Sequence, residues 1–147
     1  MMSSIWLFLT APLSQDICMF EVLNGETLIR TEIDGNRTVI RLMGVKASDP
    51  TVRPHGPRSF QYLHDWVTPY MKDVWDPSLP CPIQCKPIPI YNKNDPGMFQ
   101  CFLDHLDIGY QMILLGHAFP FQVPPYWKDS YMTAFQIAKA RHMGIWS

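Results

Sequence analysis

The stretch Phe20-Glu21-Val22-Leu23-Asn24-Gly25-Glu26-Thr27-Leu28-Ile29 predicts two short strands joined by a tight turn at Asn24-Gly25. That dipeptide is the strongest short-range signal of a hairpin, because both central residues of its favoured turn need positive φ. A second turn at Asp34-Gly35 leads into a strand over residues 38–43. The sequence therefore predicts an antiparallel meander of three strands at the start of the domain.

A helix is predicted to follow at Gly56-Pro57, since glycine suits a cap and proline the first helical position. Its buried stripe is predicted to be Phe60, Leu63 and Val67, and Pro69 is predicted to end it.

Two further strands are predicted over residues 83–91 and 99–103. Pro87 and Pro89 lack the N–H groups that a central strand needs, so the first of these strands is predicted to lie at an edge of the sheet. A short helix over residues 108–115 has Asp107 as its cap and Gly116 as its terminator.

A last helix is predicted over residues 129–143, with Gly144 ending it and Trp146 folding back as a buried apolar plug. The predicted order is three strands, a helix, two strands and two helices. The fold class is α+β, and five strands that begin as a meander favour a barrel of the oligonucleotide-binding (OB) type with three flanking helices.

Six local strings, in this order along the chain, resemble those of the staphylococcal nuclease family. They are Asn24-Gly25-Glu26-Thr27, V-I-R-L-M-G-V-K-A-S-D at residues 39–49, Gly56-Pro57-Arg58-Ser59, Asp95-Pro96-Gly97-Met98, Gly116-His117-Ala118, and A-K-A-R-H-M-G-I-W at residues 138–146. The resemblance implies the same OB-type barrel and gives one domain over residues 16–147, preceded by an apolar N-terminal extension over residues 1–15.

Members of that family place a calcium ion between two aspartates, a glutamate beside the attacking water, and two arginines against the phosphate. The resemblance aligns the family's two metal-binding aspartates with Glu26 and Lys46 of this sequence. It aligns the glutamate with Asp49 and the two arginines with Arg41 and Met98. Calcium needs several hard oxygen ligands, and an ammonium group repels it. Methionine removes a charged phosphate donor. These five positions are therefore predicted to be vestigial, with no catalysis, no bound metal and no cofactor.

The ammonium of Lys46 is the available substitute for a calcium ion. We therefore expect Lys46 or Arg41 to lie within salt-bridge distance of Glu26 or Asp49. Arg41 has an alternative role as part of a surface ion-pair network. Met98 is expected to be a surface or partner contact, with core filling as the alternative.

The composition excludes some classes of protein. The 147 residues fit one domain, and twelve Lys and Arg against thirteen Asp and Glu give a net charge of −1, which disfavours binding to nucleic acid through phosphates. No run reaches the roughly 20 apolar residues of a membrane span. The apolar residues 5–13 are expected either to pack on the protein's own core or to dock onto a partner or a membrane surface.

The four cysteines are Cys18, Cys81, Cys85 and Cys101, and neither they nor the histidines have metal-ligand spacing. Cys81 and Cys85 would lie roughly 13 Å apart in an extended chain, which is too far for a disulfide. Free thiols in an intracellular, reducing compartment are the prediction, with the mitochondrion as the specific location.

The favoured function is a structural or interaction subunit of a larger, mitochondrial assembly with protein partners. Its candidate contact residues are aromatic: Trp6, Phe8, Trp75, Phe119, Phe121, Tyr126 and Trp127. The proline-rich stretch over residues 118–127 either presents a rigid surface or packs on its own barrel. The alternative function is a nucleic-acid-binding module without metal, using Arg30, Arg37, Arg41, Arg53 and Arg58. An active calcium-dependent nuclease is the least favoured function.

Overall fold

The computed structural model describes residues 18–71, 74–88 and 98–147. It confirms the α+β class, with a curled half-barrel sheet of five main strands and three helices. The predicted extension over residues 1–15 lies outside the described residues. None of the helices in the described part of the chain is long and apolar enough to cross a membrane.

The five main strands are β1 Phe20–Asn24, β2 Thr27–Thr31, β3 Arg37–Leu42, β5 Ile83–Pro87 and β6 Met98–Leu103. Three two-residue strands that the sequence did not predict are β4 Val45–Lys46, β7 Leu106–Asp107 and β8 Phe119–Pro120. The helices are α1 His55–Val67, α2 Ile108–Leu114 and α3 Pro125–Ala140, with 3-10 turns at Thr68–Tyr70 and Gly144–Trp146.

The main sheet has the order β1-β2-β3-β6-β5, and β4 pairs with β8 in a separate small sheet. All main pairs are antiparallel except β3 with β6, which is parallel. The predicted edge position of the first proline-containing strand is confirmed, since β5 ends the order. It stops at Pro87, and the predicted continuation to Tyr91 runs into residues 89–97, which are outside the described part.

The first hairpin forms where it was predicted, but its turn is one residue further along. Asn24 pairs with Thr27, so Gly25 and Glu26 form the turn, and Gly25 is not among the described residues with positive φ. A Cβ atom on Gly25 would lie 2.7 Å from Cβ of Ala47 and 2.9 Å from Cβ of Ser59. Glycine is therefore needed at position 25 because the chain packs closely there. The prediction that this turn requires glycine for its positive φ was wrong.

The core lies between the concave face of the sheet and the helices. Its fully buried large side chains include Leu28 and Ile40 from the strands, Leu63 from α1, Met112 from α2 and Tyr131 from α3. Burial of this apolar surface supplies most of the stabilisation.

The predicted stripe on α1 needs one correction, because Phe60 is only half-buried and Ser59 is buried in its place. The Ser59 hydroxyl donates to the His117 carbonyl at 2.6 Å, which satisfies a polar group inside the core.

The helix boundaries are close to the predicted ones for α1 and α2 and earlier for α3. The Asp107 cap of α2 is confirmed, since its side chain accepts from the Tyr110 N–H at 3.2 Å. Helix α3 starts at Pro125 instead of Asp129, because proline suits the first turn of a helix. It ends at Ala140, before the predicted end at Met143.

The prediction of free thiols is wrong. Cys18 is bonded to Cys81 and Cys85 to Cys101, with Cα separations of 5.2 and 4.0 Å. The distance argument tested only the pair of cysteines that are four residues apart, whereas the bonded pairs are 63 and 16 residues apart in sequence. The predicted reducing compartment depended on free thiols and thereby loses its basis.

The Cys18–Cys81 bond connects the two segments that lead into the outermost strands of the sheet. Each cysteine is two residues before an edge strand, Cys18 before β1 and Cys81 before β5. An isolated parallel bridge between Phe20 and Met71 also involves the first residue of β1. The bond thus links the two edges of the curled sheet covalently.

The C-terminal turn packs against α3, as expected of an apolar plug. The Ile145 N–H donates to the Gly116 carbonyl at 2.9 Å. The Trp146 ring packs edge-on against Phe119 and Phe135, with centroids 6.0 and 5.4 Å away. Trp146 is half-buried instead of fully buried.

Gly25→Ala is expected to destabilise the fold by about 1–3 kcal/mol, the usual effect of overpacking a core. The added methyl would collide with Ala47 and Ser59. Urea unfolding measures this cost. The matched control is Gly35→Asn, since a Cβ at Gly35 meets nothing within 4 Å and its φ of +89° is one that asparagine tolerates better than most residues. Equal stability of the two variants would contradict the packing argument.

Trp146→Ala is expected to lower the free energy of unfolding by about 3 kcal/mol, the low end for emptying an aromatic site. The ring keeps some exposure, which reduces the loss. Tyr126→Ala, which removes a ring that is 86% exposed, is the control and should change stability by less than about 0.5 kcal/mol. Thermal and urea unfolding of both variants check this, and an unchanged Trp146→Ala protein would refute it.

Candidate functional site

The predicted site positions lie on neighbouring segments. Glu26 is in the β1–β2 turn, and its backbone carbonyl accepts from the Leu42 N–H at 2.8 Å. Arg41 on β3 is in register with Thr27 on one side and with Met98, the first residue of β6, on the other. The fold therefore places the turn, the end of β3 and the start of β6 side by side.

Lys46 forms an ion pair with Glu26, with Nζ 3.5 Å from Oε1. The prediction of a lysine or arginine at salt-bridge distance from one of the two carboxylates is thereby confirmed. The Glu26 side chain is 12% exposed, whereas that of Lys46 is 58% exposed. A half-solvated pair of this kind contributes at most about 1 kcal/mol to stability.

The backbone around Lys46 fixes the direction of its side chain. Val45 and Ala47 are buried and Lys46 between them is exposed, as expected from the alternation of side chains in a strand. Strand β8 holds this segment, with Lys46 in register with Phe119. The ammonium is therefore carried on a strand whose backbone pairs with β8.

Asp49 has its own local partners. Its Oδ1 accepts from the backbone N–H of Thr51 at 2.9 Å and from the Thr51 hydroxyl at 2.6 Å. The hydroxyl bond, the backbone bond and, more weakly, the charge of Lys46 hold the pKa of Asp49 below its usual value. Lys46 thus pairs with Glu26 and also acts electrostatically on Asp49.

Met98 was expected to be a surface or partner contact, and the structure places it in β6, half-buried against the core. The alternative interpretation as core filling describes it better. Arg41 is half-buried beside it in the parallel β3–β6 pair. A thioether carries no charge and no N–H donor, so the Arg41–Met98 pair offers one cationic side chain to a phosphate instead of two.

The arrangement does not fit a calcium site. Calcium takes six to eight oxygen ligands, whereas here an ammonium group stands 3.5 Å from the half-buried carboxylate. No group of three or more His, Cys, Asp or Glu residues within the described ranges could hold a metal ion. The donor set therefore favours an internal ion pair over a bound cation.

Sequence reasoning missed a polar cluster centred on Asp107. Besides capping α2, this carboxylate accepts from the Tyr131 hydroxyl at 2.7 Å and from Gln100 Nε2 at 3.0 Å. Burial, and then the charge of Asp107, raises the pKa of Tyr131 far above its usual value. The cap signal located Asp107, but nothing in the sequence pointed to partners on β6 and α3. The cluster joins three elements and is structural.

Two of the arginines of the predicted nucleic-acid surface are paired with carboxylates. Arg30 Nε lies 2.8 Å from Glu32 Oε1, and Arg37 lies 2.9 Å from Glu21. The first pair, with a bond from Thr38, holds the pKa of Glu32 below its usual value. Both arginines therefore offer a phosphate less attraction than free cations would.

The predicted aromatic surface is smaller than the sequence suggested. Trp75 and Trp127 pack against the core, and Phe119 packs against Phe135 and Trp146. Phe121 and Tyr126 are 42% and 86% exposed. Trp6 and Phe8 lie outside the described residues.

The backbone of residues 118–127 is well held. The Phe121 N–H donates to the Gly44 carbonyl at 2.8 Å, and the stretch ends in the first turn of α3. Both alternatives for this stretch therefore apply in part, because it packs on the domain and still presents two aromatic rings.

No family model matches the chain, and no curated protein matches it.

Proposed function

We propose that this chain is a catalytically inactive relative of the staphylococcal nucleases that acts as a structural or interaction subunit of a protein assembly. The observation that carries the proposal is the 3.5 Å contact between Lys46 Nζ and Glu26 Oε1. It puts a tethered positive charge where a nuclease of this family would need a calcium ion.

Electrostatics support the loss of catalysis. Two unit charges 4 Å apart interact by about 4 kcal/mol near a protein surface, and a divalent ion doubles the repulsion from Lys46. The missing second arginine at Met98 independently removes a transition-state donor, a loss typically of about 3–4 kcal/mol in other enzymes. Either change is severe, and the two act on different parts of the reaction.

The strand order supports the OB-type barrel. The sheet order β1-β2-β3-β6-β5 begins as a meander and then places the last long strand beside β3. A partly open, five-stranded Greek-key barrel has this kind of order. Helices α1 to α3 correspond in number and order to those that the resemblance implies.

A protein partner is supported by Phe121 and Tyr126. Aromatic side chains are enriched in interfaces, and a rigid backbone reduces the entropy lost on binding. Helix α3 also carries a shallow depression lined in part by Met132 and Ile137. The proposed assembly is mitochondrial, a location that no longer rests on free thiols, since all four cysteines are bonded.

Nucleic-acid binding is the second candidate, and the charges disfavour it. The net charge is −1, and the carboxylates of Glu21 and Glu32 neutralise Arg37 and Arg30. Phosphate-driven affinity depends on cations that are free to replace counterions.

Purified protein is expected to show no calcium-dependent cleavage of single-stranded or plasmid DNA. Lys46→Asp should bind calcium at least about tenfold more tightly than the native protein, about 1.4 kcal/mol, as measured by titration calorimetry. Lys46→Met is the matched control, because it removes the positive charge without adding an oxygen ligand. Cleavage by the native chain that Glu26→Gln abolishes would refute the loss of catalysis.

The interaction surface is tested by affinity purification from the native source after nuclease treatment. Phe121→Ala combined with Tyr126→Ala is expected to reduce recovery of the main partner protein at least about tenfold, a loss typical of interface anchors. Leu79→Ala, at a side chain that is 56% exposed on another segment, is the control. Unchanged recovery would refute this surface, and recovery of nucleic acid instead of protein would favour the second candidate.

A further inference from the structure

The fold brings all four cysteines of the chain into two pairs. Cys18 and Cys81 have Cα atoms 5.2 Å apart, within the usual range for a disulfide, and Cys85 lies directly opposite Cys101 in the β5–β6 ladder. No cysteine is left without a sulfur partner.

The pairing of these cysteines says more about their oxidation state than their burial does. Unpaired cysteines are often buried as small apolar side chains, so the low exposure of Cys18, Cys81 and Cys101 would fit free thiols equally well. Free thiols have no reason to lie in pairs, and here the partners come from segments 63 and 16 residues apart. Disulfides persist mainly in oxidising compartments.

We infer that this protein is matured by thiol oxidation and functions in an oxidising compartment. Each pair of thiols loses two protons and two electrons as one sulfur–sulfur bond forms. The electrons pass to an oxidised dithiol carrier or to glutathione disulfide by exchange through a mixed disulfide. This replaces the reducing compartment that the sequence predicts, and it does not depend on the proposed function.

The two bonds have different consequences for the fold. Cys18–Cys81 joins the two outer strands of the sheet, next to the exposed residues Pro77 to Pro80. Cys85–Cys101 joins two strands that a five-pair ladder already holds together. A bond that closes a longer loop restricts the unfolded chain more. Loss of Cys18–Cys81 should therefore lower the free energy of unfolding more than loss of Cys85–Cys101 does.

The first test traps the protein from its native source with N-ethylmaleimide under denaturing conditions. Intact mass is expected to show no adduct before reduction and four after reduction. Peptide mapping should find the Cys18 peptide linked to that of Cys81 and the Cys85 peptide to that of Cys101. Four adducts before reduction, or a different linkage, would overturn the inference.

The second test compares the native protein with two paired variants. Reductant should lower the melting temperature of the native protein and of Cys85→Ser/Cys101→Ser clearly more than that of Cys18→Ser/Cys81→Ser. An unchanged melting temperature in native protein whose four thiols are shown to be reduced would refute the stabilising role of the Cys18–Cys81 bond. If the Cys18→Ser/Cys81→Ser variant fails to fold, Cys18→Ser alone should expose one alkylatable thiol, at Cys81, and labelling elsewhere would contradict the pairing.

Discussion

The close contact of the β1–β2 turn with α1 and with the segment after β4 is the constraint on which the candidate site depends. It leaves no room for a side chain at Gly25, because Ala47 and Ser59 fill that space. The next residue, Glu26, is consequently held by its backbone against Leu42 and by its carboxylate against Lys46. The same packing that closes the core thus sets the position of the half-buried carboxylate.

A carboxylate that is only 12% exposed needs a positive partner or several hydrogen-bond donors. In a nuclease of the family that the sequence resembles, a metal ion would supply that charge. Here Lys46 supplies it from within the chain, at the end of a stretch that β8 fixes. Under the proposed function, the replacement removes metal affinity at this position, and the ammonium supplies the positive charge that the largely buried Glu26 carboxylate needs.

The elements with strong local signals could be predicted from the sequence. The first hairpin, the edge position of β5 and the limits of α2 follow from glycines, prolines and a cap at Asp107. The Glu26–Lys46 contact was also predictable. The resemblance puts the positively charged Lys46 and the negatively charged Glu26 at two positions that converge on one site, and opposite charges attract.

The remaining features depend on long-range contacts. Strands of two residues, such as β4 and β8, show no periodicity, and their pairing exists only once Gly44 and Phe121 are brought together. The start of α3 at Pro125 was not predicted, because the prolines around it favour a loop. The sequence also gave no means of pairing Cys18 with Cys81, because the fold alone brings these residues together.

Internal compensation of charge links the site to the proposed function. Lys46, Arg30 and Arg37 each stand beside a carboxylate, so three cations contribute little to the long-range field that draws a polyanion to a protein. Phosphate recognition also needs fixed cations, and under the proposed relationship to the nucleases Met98 stands where the second arginine would be. The exposed features best suited to recognition are then Phe121, whose N–H donates to the Gly44 carbonyl, and Tyr126 in the first turn of α3. Exposed aromatic side chains on a well-held backbone, in a domain with little net charge, are suited to a protein partner, because aromatic residues are enriched and charged residues depleted at the centres of protein interfaces.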